Sequence, residues 1–320
     1  MPCPSSTFGW TSPLGRPVAP QQQGLAGAGS ATTATMANAS SIGLPASVDR
    51  HRARPMDSTE PLSILWQDDD LVAVHKPAGW LVHRTGLDAH ETRFVMQTLR
   101  DQLGRHVFPV HRLDKGTSGV LLMALHADAA RALCEAFALQ QVQKRYIAMV
   151  RGWPEAQSEV DHALKPDDAP ADAPAQPART TLYRRGTLQL DIPVDRYPST
   201  RVALVEAVPH TGRRHQIRRH LKHVAHPIIG DTTHGKGAHN RWWAQQLGQQ
   251  RLWLHALSLQ LVQPFSGQPL NLMSPIPFDP LTRVQNQQAS LNQDWAYLLA
   301  DMPWQFTEAA MSWAACPPHP

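Results

Sequence analysis

Apolar positions begin to recur in a regular way near Leu62. Ser63–Gln67 and Leu71–His75 flank Asp68-Asp69-Asp70, which predicts a hairpin. Lys76-Pro77-Ala78-Gly79 then turns the chain. Thr92–Leu103 carries Val95, Met96, Leu99 and Leu103 at helical spacing and meets a stop at Gly104. Val107–Val110 and Val120–Leu125 read as buried strands separated by a polar loop. In Ala127–Gln140, Ala130, Leu133, Cys134 and Phe137 form one apolar stripe, so a helix is expected with Cys134 as a core filler. Arg145–Arg151 alternates as a strand ending at Gly152, and Pro154–Arg179 reads as a surface loop rich in Ala, Pro and Asp. Val202–Val208 is a predicted strand. His215–Val224 is a predicted helix with Ile217, Leu221 and Val224 on one face, ended by Pro227. Leu252–Leu261 alternates as a strand that Ser266-Gly267 turns back toward Leu270–Met273. No internal repeat is found. Hairpins mixed with scattered helices argue for an α+β fold rather than a doubly wound parallel sheet.

Composition adds a boundary. Of 320 residues, 42% are apolar and 18% charged, enough for one large or two small domains with a sizeable core. Fibrous and disulfide-scaffold classes are excluded, and no apolar run approaches the ~18 residues a membrane helix needs. The net charge of +4 is a mild lean toward anionic partners. Residues 1–48 hold a single charge, Arg16, and no helical or strand period. Such a stretch buries too little apolar surface to offset its ordering entropy, so it is expected to be disordered. It lacks a secretory signal, and its low Arg content makes it a poor transit peptide. Met56, just before the first ordered pattern, is the expected true start. The three cysteines, Cys3, Cys134 and Cys316, form no metal or disulfide spacing, which points to a reducing compartment.

Two segments concentrate chemistry. His111-Arg112-Leu113-Asp114-Lys115-Gly116-Thr117-Ser118-Gly119 is a polar loop between apolar strands. It places a carboxylate at a strand end, where catalytic groups are commonly displayed. The plainer alternative is a surface turn with a local ion pair. From His210 to His223 the chain has five Arg/Lys and no acid, a pattern that can hold phosphates or simply form a solvated basic face. His220, His223 and His226 recur every three residues. Helical metal pairs are usually i, i+4, or i, i+3 with a carboxylate, and no acid or Cys stands close before Asp231, so polar or RNA contacts are the better reading. Tyr146, in Lys144-Arg145-Tyr146, reads on its own as a core or cross-strand aromatic.

Taken together, HRLD-x-x-TSG, K-R-Y-x-A-x-V-x-G, GR-x-HQIR-x-H and HPIIGD stand in one order along the chain. In order and wording they resemble the large RNA pseudouridine synthase family that includes the ribosomal synthases of the A type. The first and third motifs are highly specific. The resemblance covers about Leu62 to Met273, roughly two thirds of the chain. Gly79-Trp80-Leu81-Val82-His83-Arg84, Arg196-Tyr197-Pro198 and Leu254-His255-Ala256 are similar to one branch of it, whose members act on tRNA.

The resemblance implies a pseudouridine synthase fold, a mixed and mostly antiparallel sheet with flanking helices around a central cleft. It implies Asp114 as the catalytic aspartate, Arg218 as the arginine that pairs with it, and Tyr146 as an aromatic stacking on uracil. Arg112 matches a position involved in base flipping. Lys76, Arg84, Lys115, Arg213, Arg214, His215, Arg219 and Lys222 would bind RNA phosphates. The implied reaction isomerises a uridine of tRNA, in the acceptor-stem region; the same chemistry on ribosomal RNA and a non-catalytic RNA-binding factor are the alternatives. Neither a metal nor a cofactor is expected. The expected protein is a cytoplasmic monomer. Its expected domains are a disordered or misannotated extension at 1–61, a catalytic domain at 62–280 and a partly helical tail at 281–320. In that tail Trp295, Trp304 and Trp313 suggest a packed helix or a docking segment.

Overall fold

A computed structural model describes residues 61–83, 92–166, 169–170, 172–276, 292–300 and 302–311. The expectations for residues 1–60, Arg84 and Trp313 lie outside these. The described chain builds eleven strands and six helices. β1 (Ile64–Gln67) and β2 (Leu71–Lys76) form the expected hairpin, closed by Asp68, whose carboxylate accepts from the Asp70 and Leu71 N–H groups. α1 (Val95–Leu103) starts three residues later than its apolar pattern. The Val95 and Met96 N–H groups donate to the Leu81 and Val82 carbonyls, which keeps Phe94 extended. Gly104, at φ 63°, ends α1 as expected.

β3 (Phe108–Pro109) is shorter than predicted and pairs with β4 (Ser118–Ala124), all of whose residues are buried. α2 (Ala127–Ala138) is capped by His126. Its buried line runs through Ala129 and Leu133, and Cys134 is exposed. That corrects the core assignment: one residue past Leu133 is about 100° around the helix, off the line that packs on the sheet.

β5 (Gln143–Arg151) holds the expected strand. The predicted loop after it contains β6 (Gln157–Asp161), a correction. Its single apolar residue, Val160, is buried, and among the described residues it pairs only with β7 (Arg179–Leu190). β7 in turn pairs with β8 (Thr200–Pro209). Then come α3 (Gln216–His223), α4 (Gly237–Leu247), β9 (Leu254–Val262) and β10 (Pro269–Met273). After residues outside the described set follow α5 (Gln293–Ala300), β11 (Gln305–Phe306) and α6 (Glu308–Met311).

The strand order is β1-β2-β4-β9-β5-β8-β7-β11, with β3, β6 and β10 joined at the side. Every strand pairing is antiparallel except β4 with β9, so the architecture is the mixed α+β sheet expected. Two apolar cores divide the sheet and meet at β9 and β5: Leu254 and Leu257 belong to one, Ala256 and Leu259 to the other. Tyr146 packs against both. The parallel seam needs Gly119, at φ 115°, because a Cβ there would overlap the Ala256 carbonyl. Of the C-terminal tryptophans, Trp295 is fully buried on α5 and meets Trp253 edge to face, 5.1 Å between centroids. Among the described residues no helix is long and apolar enough to cross a membrane.

Candidate active site

The His111–Ser118 loop links β3 to β4 and is held from below. Lys76, at the end of β2, is wholly buried. Its ammonium donates to the carbonyls of Pro77, Lys115 and Thr117 at 3.0, 3.2 and 2.7 Å. A phosphate cannot reach it, so the phosphate-binding role expected for Lys76 is corrected: its charge tethers the loop. Burial pushes its pKa down to about 7, against the pull of Asp114 and with the push of Arg251. The Gly79 N–H adds a bond to the Lys115 carbonyl, and the Thr117 N–H one to that of Asp114. His111 accepts from the Leu122 N–H through Nε2 and stacks on Phe137; burial pushes its pKa down to about 3, keeping it a neutral acceptor.

These tethers present Asp114 to an open cleft of about 1090 Å³. Arg218, on α3, donates from Nη1 to Asp114 Oδ2 at 3.1 Å. The same guanidinium makes a two-pronged pair with Asp231: Nε to Oδ2 at 2.8 Å and Nη2 to Oδ1 at 2.9 Å. Asp231 is 1% exposed and also accepts from the Thr233 and His234 N–H groups. Burial opposes the charges, but mutual hydrogen bonding and attraction prevail: Arg218 is raised and Asp231 lowered from their ordinary values. Asp231 was not among the expected site residues. Its signal was present in the HPIIGD motif, a turn whose Gly230 (φ 81°) lies too close to the Arg251 carbonyl for any side chain.

Tyr146 is half-buried on β5 near Asp114. Burial and the Asp114 charge both raise its pKa, so it stays a neutral phenol. It can stack and donate a hydrogen bond, and it is not a phenolate base.

The basic residues divide. Arg112, Lys115, Arg214 and His215 line the cleft with Asp114 and Arg218. His215, at φ 55°, stands at the start of α3 with Nε2 3.8 Å from Asp114 Oδ2. Arg213 and Arg219 instead donate to the Pro177 and Lys165 carbonyls. Lys222 is exposed but does not line the cleft. Gln216 was overlooked; it joins the basic turn to β7, accepting from Thr211 and the Arg213 N–H and donating to Thr180 and the Arg179 carbonyl. His220 has both ring nitrogens engaged, one with Thr180 Oγ1 and one with the His162 carbonyl, which is the polar-contact reading of the histidine series.

An oriented carboxylate in a basic cleft is the equipment of an acid–base or nucleophilic enzyme with an anionic substrate. Residues 70–223 match the RNA pseudouridylate synthase family model. A protein of Vibrio cholerae named tRNA pseudouridine synthase C is 45% identical over 251 residues, covering 76% of this chain and 97% of the relative. One of Salmonella typhi with the same name is 46% identical, covering 76% and 91%. The solved structure of human RNA pseudouridylate synthase domain containing 1 matches with a TM-score of 0.58 at 24% identity, covering 82% of this chain and 98% of that one. Human RNA pseudouridylate synthase domain containing 4 gives a TM-score of 0.52 at 26% identity, covering 73% and 93%. The chain belongs to the RNA pseudouridylate synthase family.

Proposed function

We propose that this protein isomerises a uridine of tRNA, in the acceptor-stem region, to pseudouridine, with Asp114 as the catalytic group. The C1′–N1 bond breaks, the uracil turns, and C5 joins C1′; the C5 proton is lost and N1 ends protonated, so the product is an isomer. Asp114 begins either by attacking the sugar or base or by taking the 2′ proton; both routes need a carboxylate fixed beside the sugar. Arg218 fixes it, and Asp231 holds Arg218. Tyr146 stacks on the turned uracil and, as a phenol, can pass a hydrogen bond to it. Arg112 helps to extrude the base, and Arg214, His215 and Lys115 hold the neighbouring phosphates. The apolar walls from both cores limit water, which would otherwise intercept the detached base. The reaction takes place in the cytoplasm, and the working unit is a monomer.

The observation that carries the chemistry is the Asp114–Arg218–Asp231 chain in the cleft. The choice of tRNA is supported by the names of the relatives. Tritium release from tRNA labelled at C5 of uridine tests the first. Asp114→Asn should fall at least ~10³-fold, as expected when the group that starts the chemistry is removed, with an unchanged melting curve. Release at the wild-type rate would overturn the assignment. Carbodiimide primer extension on RNA from cells with and without the gene tests the substrate. A tRNA signal should vanish; loss of a ribosomal signal with tRNA unchanged would favour ribosomal RNA.

A further inference from the structure

Beside the cleft, two arginines share one phenol. Arg151 at the end of β5 and the exposed Arg196 donate to the Tyr197 hydroxyl at 3.4 and 3.2 Å. Their guanidinium carbons lie 5.6 and 5.3 Å from the ring centroid. Two cations brought to one small group repel, and the Tyr197 hydroxyl is neutral in its ordinary state. His239 of α4 also stands against Tyr197, 5.8 Å between ring centroids. His239 is 3% exposed, and among the described residues neither of its ring nitrogens has a hydrogen-bond partner. A buried polar group left unpaired is costly. The exposed Lys236 also acts on His239 through its charge, and Asp195 is the carboxylate close enough to act on both His239 and Arg196.

The cluster is tied to the site. Asn240, next to His239, donates to the Asp231 carbonyl and accepts from the Gly230 N–H, each at 2.8 Å. The Arg151 N–H donates to the Pro227 carbonyl. Arg151 lies five residues along β5 from Tyr146, about 17 Å at the usual rise of a strand. Thr232 and Thr233, which line the cleft, stand four and three residues before Lys236.

We propose that Arg151 and Arg196, gathered on Tyr197 with Lys236 nearby, form a second phosphate-binding site for the RNA substrate, a few nucleotides from the uridine in the cleft. The phosphate would sit between the arginines and relieve their repulsion, while the buried His239 ring nitrogens stay out of its reach. This inference rests on the reading of the protein as an RNA-modifying enzyme. It adds the place where a flanking backbone is gripped.

The test compares wild type, Arg196→Glu and Arg131→Glu, the last being the same charge change on α2. Filter binding to a full-length tRNA transcript across a salt series gives Kd and its slope. Steady-state tritium release gives kcat and KM. Arg196→Glu should raise Kd and KM about tenfold, leave kcat and the melting temperature unchanged, and flatten the log–log salt slope by about one. Arg131→Glu should stay within about twofold of wild type. Unchanged Kd and slope in Arg196→Glu, an equal loss in Arg131→Glu, or a fall confined to kcat would each overturn the site. Tritium release by the wild type reports separately on the parent reading: an enzyme that binds tRNA but releases none refutes the reaction, while the Kd comparison still decides the phosphate site.

Discussion

At the scale of single residues, the site depends on one guanidinium shared between two carboxylates of different exposure. The Asp114 side chain is 22% exposed, that of Asp231 0% and that of Arg218 9%. The inner pair orients the outer one. Asp231→Asn removes the charge that Arg218 was buried against, at a cost of about 3 kcal/mol in unfolding free energy. It also lets the guanidinium drift from Asp114, so kcat should fall at least ~10²-fold, while KM for tRNA should move little because the phosphate contacts are intact. Urea unfolding and steady-state tritium release measure the two effects; full activity with a lowered midpoint would mean that Asp231 serves stability alone. Asp114 and Arg218 could be proposed from the chain because they sit in long, specific motifs, and Tyr146 because its weaker motif stands in order between them. Lys76 was misjudged from the chain: a lysine in a polar turn looks solvated until the strands on either side close over it. The carbonyls that Arg213 and Arg219 bond, 36 and 54 residues away, were likewise out of view in the local sequence.

Among the elements, those with strong apolar periods were legible: the β1–β2 hairpin, α2, β5, α3 and the β9–β10 pair. β6, β7 and α4 were not. β6 offers a single apolar residue, and β7 carries Arg, Thr, Gln and Gly with a bulge between Arg184 and Gly186. Such strands form because a neighbour supplies their hydrogen bonds, a fact absent from local sequence. α5 shows how a remote element reaches the site. Its Asp294 accepts from Arg251 Nη1 at 2.6 Å, and Arg251 Nη2 donates to Ser118 at the end of the active-site loop at 2.8 Å. The Arg251 guanidinium also lies over Trp253 and Trp295, 4.9 and 5.8 Å from their centroids. Asp294→Ala leaves that guanidinium without its counter-charge. With the Asp294 side chain 23% exposed, the expected loss is about 2 kcal/mol, read as a fall of ~4–8 °C in Tm for a protein of this size. An unchanged Tm would show that the Trp faces and Ser118 suffice.

On the scale of the whole molecule, His75 on β2 and His255 on β9 are buried beside Ser274, and a third histidine, the half-buried His111, begins the loop that carries Asp114. His75 bonds Ser274, and His255 bonds Ser118 and the Ser274 carbonyl. Burial pushes His111 and His255 down to about 3 and His75 well below its usual value. Between about 3 and the ordinary histidine value of about 6.5, the unfolded chain therefore binds protons that the folded chain refuses. Unfolding free energy then rises with pH across this window and is lost as pH falls through it. Melting curves from pH 7.5 to 4.5 should show this decline, and His111→Asn should flatten part of it; a Tm independent of pH down to 4.5 would refute the account. By itself the sequence determined the α+β class, most strand and helix positions and the motifs that carry Asp114, Tyr146 and Arg218, because these rest on local periodicity and on residues close together in the chain. Only the tertiary structure decided which charges face the cleft. That choice depends on carboxylates and carbonyls brought from other loops and turns, as Asp231 is to Arg218 from 13 residues on and Thr117 to Lys76 from 41, and a buried charge is stable only where such partners arrive.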